Sequence, residues 1–260
     1  LAILLLTLAG IIAWMLGQRI GQNTWSAFSS ILLFHLAFAF LLANPWLYIW
    51  DYFGVVIFLI FIYLVVNGKT WLWFLGLSAI AVLNRESVYF IALWMLLDPA
   101  IKYYYSIKRF TTSNQVSFDL KMTVAGLACL IGSLILVRLL RETLLIQEMG
   151  PIWWPEVGVG LRQSLHFKLP YNIDVIVDQF YQIFPLLLFV IIIAGLCLYL
   201  AYKDPYRWAA LSSIYLLIIT SQFLFGVVPE SRIFIDLIPM LILGSLILLT
   251  AVEPNDVECN

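Results

Sequence analysis

The chain has 260 residues, of which 63% are apolar and 11% are charged. Because a typical soluble domain has about 45–50% apolar and about 25% charged residues, this composition excludes an ordinary soluble domain. The mean hydropathy of +1.00 predicts an all-α fold, a polytopic bundle of transmembrane helices in a lipid bilayer. The net charge of −1 provides no bulk field that would attract nucleic acid, so we expect no nucleic-acid partner.

The first residue lies inside an apolar run, without an initiator Met or the basic stretch that opens a signal peptide. We therefore expect an N-terminally truncated fragment of a longer protein. The transmembrane domain should cover residues 1–252, and the acidic tail over residues 253–260 should be disordered. Three cysteines without CxxC spacing indicate neither a metal site nor a disulfide framework. No other metal-ligand motif is present, so the cofactor is unknown and a divalent metal stays an open alternative.

Seven apolar runs have roughly the 20 residues that a membrane-spanning helix needs, or nearly so; they cover 1–16, 25–43, 53–66, 122–140, 180–202, 208–228 and 233–252. The stretch 71–97 differs, because two shorter apolar pieces flank Asn84, Arg85 and Glu86. We interpret this stretch as a short hairpin with these three residues at its tip. The bundle then has about nine membrane segments.

Basic residues in the short loops set the predicted orientation, because Lys and Arg accumulate on the cytoplasmic side. The loop over residues 44–51 has no Lys or Arg, as expected for a non-cytoplasmic loop. Alternate loops fall on alternate sides only if residues 71–97 form the hairpin; a single long helix would invert every later loop. The loops that we place in the cytoplasm contain Arg19, Lys69, Lys203 and Arg207, and the loop over residues 101–121, on the same side, contains Lys102, Lys108, Arg109 and Lys121.

The predicted hairpin tip is the first candidate polar site. Asn84 can donate from its amide, Arg85 can bind anionic oxygens, and Glu86 can accept a proton. Since a charge at mid-membrane costs about 2.5–3.5 kcal/mol on insertion scales, such a group needs partners or water. We interpret the tip as the floor of a substrate cavity, and an ion pair that fixes the hairpin is the alternative.

Further charged residues fall on the same predicted outer side. Glu230 and Arg232 precede the last helix, where they either pair with other segments or cap the loop. Arg138 and Arg141 lie on one face near the end of a helix, against the positive-inside bias. Two outer arginines favour an anionic ligand such as a lipid phosphate. Asp51 lies at an outer helix start, where it either caps that helix or joins the site.

The loop over residues 143–178 is the longest in the chain. Because long structureless loops are uncommon unless they are functional, we interpret it as a lid or an acceptor-binding loop. A helix lying on the membrane surface is the alternative. Its candidate substrate contacts are Trp154, Glu156, Arg162 and His166.

Two short motifs resemble those of polytopic membrane glycosyltransferases of the bacterial GT-C superfamily. The first is Asn84-Arg85-Glu86-Ser87, preceded by Gly76-Leu77-Ser78-Ala79, and the second is Glu230-Ser231-Arg232-Ile233-Phe234, followed by Pro239. The resemblance covers about residues 45–100 and 225–245. It implies an enzyme that transfers a sugar from a polyprenyl-phosphate-linked donor to a glycan, lipid or protein acceptor. Transfer would occur on the extracytoplasmic face of the bacterial inner membrane.

The resemblance also implies roles for the candidate residues. An inverting transfer needs a carboxylate that deprotonates the acceptor hydroxyl, for which Glu86, Glu230 and Asp51 are the candidates. Cationic groups that stabilise the departing phosphate would be Arg85, Arg138, Arg141 and Arg232. In such enzymes an acidic catalytic residue lies in the first outer loop, which would precede Leu1, so the general base is unassigned. A transporter or flippase of lipid-linked sugars and a non-catalytic membrane scaffold are the alternatives.

Overall fold

A computed structural model of the chain describes residues 1–41, 49–82, 88–109, 118–143, 167–226, 228 and 231–252. Within these ranges every regular element is helical. The elements are α1 (Ala2–Gly21), α2 (Thr24–Leu41), α3 (Ile49–Val66), α4 (Trp71–Ala81), α5 (Val88–Arg109), α6 (Leu120–Thr143), α7 (Leu169–Asp178), α8 (Phe180–Lys203), α9 (Pro205–Phe225), a 3-10 helix (Ser231–Leu237) and α10 (Ile238–Val252).

Five of these stretches are long and apolar enough to cross a membrane: Ala2–Gly21, Thr24–Leu41, Phe180–Lys203, Pro205–Phe225 and Ile233–Ala251. Large apolar side chains such as Leu4 on α1 and Ile191 on α8 are exposed on the outside of the bundle. In a bilayer such surfaces meet lipid tails, and the helices satisfy their backbone polar groups internally. The prediction of an all-helical membrane protein is confirmed in this coarse form.

Helices α4 and α5 run antiparallel. The rings of Phe74 and Trp94 have centroids 4.6 Å apart, and both rings contact Phe61 on α3. Near the start of α4, Leu72 lines the same cavity as Tyr103 of α5. Phe74 and Trp94 each lie ten positions from residue 84, so the two helices form the arms of a hairpin. Its predicted tip, Asn84, Arg85 and Glu86, lies outside the described ranges.

Helix α5 continues well beyond the end predicted for this hairpin. We expected a loop from residue 101, but the helix runs to Arg109. Pro99 removes only one backbone donor, and side-chain contacts support the turns that follow it. Lys102 Nζ lies 2.7 Å from Asp98 Oδ2, four residues earlier, and Ser106 Oγ donates to the carbonyl of Lys102 at 2.6 Å. The predicted loop over 101–121 was therefore wrong for residues 101–109.

Two other predicted boundaries concern residues 169–178 and the last helix. Residues 169–178 form α7, with Pro170 in its first turn, which agrees with the alternative of a helix and not with a structureless loop; residues 144–166 of the predicted loop lie outside the described ranges. The last helix was predicted to begin at residue 233, but a 3-10 helix precedes α10, which begins at Ile238. Because Pro239 has no N–H to donate to an earlier carbonyl, it fits the first turn of the new helix.

The charged helix ends divide the bundle into two faces. Lys69, Lys102, Lys121 and Arg207 line one cavity, and Arg19 and Lys203 line a second cavity that also includes Arg207. We call this end of the bundle the basic face. Helices α2 and α9 lead away from it to the opposite face, where the start of α3, α7 and the 3-10 helix lie. Six of the basic residues predicted to share one side therefore line two adjoining cavities at one end of the bundle, and the side of the membrane that this end faces stays a prediction.

Close packing of α1 on α2 depends on small residues. Ser30 Oγ donates to the carbonyl of Ala13 at 2.6 Å. A Cβ atom added at Gly17 would lie 2.5 Å from Ser30 Oγ and 2.6 Å from the carbonyl oxygen of Ser26. Small residues let transmembrane helices approach to this distance.

Replacing Gly17→Ala should therefore destabilise the bundle by about 1–3 kcal/mol, the usual cost of overpacking. Gly195→Ala is the matched control, because a Cβ there meets no atom within 4 Å. Unfolding of the purified protein in mild detergent, titrated with a denaturing detergent, measures the difference. Equal stability of the two variants would contradict close α1–α2 packing.

Candidate functional site

The opposite face holds a buried carboxylate. Asp51 lies in the first turn of α3, and only 2% of the residue is exposed. A carboxylate is stabilised at a helix N-terminus by the helix dipole, but burial in an apolar bundle costs free energy unless the group has partners. Asp51 does make interactions in the structure. Whether Asp51 serves only the helix start or joins the site stays a prediction.

The 3-10 helix packs against α3, the helix that carries Asp51. It contacts α3 and α2, and Ser231 Oγ donates to the carbonyl of Leu41, the last residue of α2, at 2.8 Å. Phe234 is fully buried within the bundle. These contacts bring the backbone of Arg232, which lies between them, to the same face as Asp51. The side chain of Arg232 lies outside what the structure describes.

Asn172 of α7 holds the turn that leads into the 3-10 helix. This residue is completely buried. Its Nδ2 donates to the carbonyls of Phe223 at 2.8 Å and Gly226 at 2.9 Å, and its Oδ1 accepts from the backbone N–H of Val228 at 3.1 Å. One amide side chain thus satisfies three backbone groups at the end of α9, where the helix leaves such groups without partners.

Three further features fix this turn. Gln222 Nε2 donates to the carbonyl of Ile233, which ties α9 to the 3-10 helix. A Cβ at Gly226 would lie 2.6 Å from the carbonyl oxygen of Gln222 and 2.7 Å from Ile233 Cδ1. Lys168 N–H also donates to the carbonyl of Leu224 at 2.7 Å. The segment that carries Arg232 is therefore held by α2, α7 and α9 together.

Sequence reasoning did not find Asn172 or Gln222. Asn172 was included only in the long loop, and nothing in its neighbours separates a buried amide from an exposed one. One signal could have identified Asn172: it is a polar residue within the helical pattern of residues 169–178. The apolar residue Val175 of the same helix is buried as well. Three positions apart, the two residues share a helix face.

The structure places the other predicted site residues only in part. Arg138 is exposed on α6, where it makes an interaction. Helix α6 begins at the basic face and its 24 residues at 1.5 Å each cover about 36 Å, so Arg138 and the backbone of Arg141 lie toward the opposite face. The side chain of Arg141 is outside the described part, as are Asn84, Arg85, Glu86, Trp154, Glu156, Arg162, His166 and Glu230.

The predicted convergence of these residues on one cavity therefore stays a prediction. Among the described residues, no group of three or more His, Cys, Asp or Glu side chains could hold a metal ion. The need for a divalent metal stays open. The part of the site that the structure describes is the buried carboxylate of Asp51 and the braced segment that carries Arg232.

The chain was compared with protein-family models, curated proteins and solved structures, and none of them matches it.

Replacing Asn172→Ala should loosen the turn between α9 and the 3-10 helix. Three backbone groups lose their partner, and each buried group left unsatisfied costs about 1–3 kcal/mol. Hydrogen exchange of the peptide over residues 220–235 should become faster, because Val228 N–H loses its acceptor.

Asn67→Ala is the matched control for this prediction, since the Asn67 amide donates only to Tyr63 within its own helix end. Its exchange in the 220–235 peptide should equal that of the unmodified chain. Unchanged exchange in Asn172→Ala would show that the amide does not hold this turn.

Proposed function

We propose that the chain is a membrane-embedded glycosyltransferase that moves a sugar from a polyprenyl-phosphate donor to an acceptor at the opposite face. The observation that supports this proposal is the buried Asp51 carboxylate on α3, the helix against which the braced 3-10 helix that carries Arg232 packs. A titratable group buried within an apolar bundle is expensive, so residues of this kind in membrane proteins usually serve function.

The braced segment suits a role in binding a phosphate group. Ser231 and Phe234 fix the ends of the first turn of the 3-10 helix, and Gln222 holds Ile233 between them. A catalytic group must be held close to its productive geometry by the residues around it, and rigid elements do this better than loops. The bracing supports Arg232 as one of the cationic groups at the phosphate.

The proposed reaction is an inverting displacement at the anomeric carbon. A carboxylate, Asp51, Glu86 or Glu230, accepts the proton of the acceptor hydroxyl as its oxygen bonds to that carbon. The bond between the anomeric carbon and the phosphate oxygen breaks, and polyprenyl phosphate leaves with the electron pair. Cationic side chains near the leaving oxygens offset the developing charge; the candidates are Arg85, Arg138, Arg141 and Arg232.

The proposal includes the finer topology. The bundle has about nine membrane segments, with α4 and α5 as a hairpin of two. The basic face lies in the cytoplasm of a bacterial cell, and the opposite face lies outside the inner membrane. The glycan, lipid or protein acceptor then reaches Asp51 from the extracytoplasmic side.

Transfer activity tests the proposal directly. The full-length protein in liposomes, given radiolabelled polyprenyl-phosphate hexoses and pentoses with membrane extract as acceptor source, should release polyprenyl phosphate and label the acceptor. Arg232→Ala should lower the rate about 10²–10³-fold, because removing one donor that stabilises a developing anion typically has this effect.

Asp51→Asn should also lower the rate, and Asp174→Asn, which removes an exposed carboxylate on α7 at the same face, should not. If Arg232→Ala and Asp51→Asn both insert normally and retain the full transfer rate, the proposed site is wrong.

A further inference from the structure

The larger of the two cavities at the basic face is not used by the proposed transfer reaction. It has a volume of about 620 Å³ and lies between the end of α3, the starts of α4, α6 and α9, and the middle of α5. Its charged lining consists of four basic and two acidic residues, a net charge of +2: Lys69, Lys102, Lys121, Arg207, Asp98 and Asp119. The sequence analysis used these basic residues only to set topology.

Both acidic residues of this cavity already have structural partners. Asp98 is buried and pairs with Lys102 at 2.7 Å. Asp119 Oδ1 accepts from the backbone N–H of Met122 at 3.0 Å, which caps the start of α6. The two carboxylates therefore offset only part of the positive charge and leave the lining with a net charge of +2. Within the described ranges, none of Lys69, Lys121 and Arg207 lies within 4.0 Å of a carboxylate oxygen.

The arginine is held in place before any ligand binds. Arg207 Nη2 donates to the carbonyl of Val66 at 3.4 Å, and its guanidinium lies 4.6 Å from the ring centroid of Trp208. A planar guanidinium fixed in this way can offer its remaining N–H groups to two oxygens of one anion. The lysines, by contrast, are mobile point charges that adapt to the bound group.

Helix α4 adds a weaker contribution at the same place. It begins in the cavity wall, with Thr70 as its N-cap, and the Thr70 side chain makes no capping hydrogen bond. The first backbone N–H groups of a helix lack intrahelical acceptors and carry the positive end of the helix dipole. Their direction reinforces the side-chain charges and favours an anion over a cation.

Apolar side chains line the cavity beside these charges. Leu72 is 58% exposed and Tyr103 is 41% exposed, and both belong to the lining. Next to them Trp73 is 59% exposed, with Lys69 Nζ 5.9 Å from its ring centroid. Aromatic and basic residues combine in this way at the membrane interface, where headgroups meet acyl chains.

We propose that this cavity binds the phosphate group of an anionic lipid, with Lys69, Lys121 and Arg207 as the phosphate contacts. Leu72, Trp73 and Tyr103 contact the glycerol and the upper acyl chains. A free phosphate shares the charge of the headgroup but lacks those apolar contacts. Basic pockets between membrane helices recognise phosphate headgroups by the same combination of charge and apolar surface.

Binding to the detergent-solubilised full-length protein tests the site. The probes are dihexanoyl phosphatidic acid, dihexanoyl phosphatidylglycerol, the zwitterionic dihexanoyl phosphatidylcholine and inorganic phosphate, titrated at one fixed ionic strength. The test variant is Lys69→Gln with Lys121→Gln. The matched control is Lys108→Gln with Lys203→Gln, which removes the same charge from the same face but outside this cavity.

The anionic lipids should bind more tightly than phosphatidylcholine and inorganic phosphate. Each basic residue near an anionic headgroup contributes roughly fivefold, so the test variant should weaken lipid binding about 30-fold and the control far less. Lys69→Arg with Lys121→Arg should restore binding, which separates lost charge from misfolding. If inorganic phosphate binds as tightly as the lipids and responds to the same variant, the phosphate site stands and its ligand is a soluble phosphate. Equal losses in test and control variants, or no loss in either, would overturn the proposal.

Discussion

The contact of Trp94 with Phe61 and Phe74 is the interaction on which the arrangement of the later helices depends. It joins α5 to both α3 and α4 and so folds the chain back after Ala81. Aromatic pairs of this kind add about 0.5–1.5 kcal/mol beyond the area that they bury. Because α4 and α5 are antiparallel, Lys102 lies at the same face of the bundle as Lys69. The direction of α5 in turn sets the direction of the helices that follow it.

The two faces that result are built by different chemistry. At the opposite face, neutral side chains such as Asn172, Gln222 and Ser231 donate to backbone carbonyls where helices end. In an apolar medium backbone groups have no water to form hydrogen bonds with, so these side-chain hydrogen bonds satisfy them instead. The basic face instead keeps its lysines and arginines around open cavities. The two proposals therefore place separate binding sites at the two ends of the bundle. One lies at the rigid turn and the other in the positively charged cavity.

Hydropathy and charge placed most of the helices, because an apolar run of the length of α8 has few alternatives to a membrane helix. The break after Ala81 followed from the charged residues at 84–86. Residues 101–109 were placed in a loop, whereas the Asp98–Lys102 pair continues the helix. The role of Asn172 and the cavity around Lys69 depend on contacts between residues far apart in sequence, which one-dimensional spacing does not encode. The sequence analysis proposed Asp51 as a candidate site residue, but only the folded structure shows that it is buried.

The direction of α5 is the most direct test of this account. Single cysteines at Lys69→Cys, Lys108→Cys and Asp174→Cys can be introduced with Cys259→Ser, since the native Cys129 and Cys197 are buried. A membrane-impermeant maleimide added to sealed vesicles of known orientation then reports the side of each position. The account predicts that Lys69→Cys and Lys108→Cys react from the same side and Asp174→Cys from the other. Reaction of Lys69→Cys and Lys108→Cys from opposite sides would contradict the hairpin and, with it, the division of the bundle into two faces.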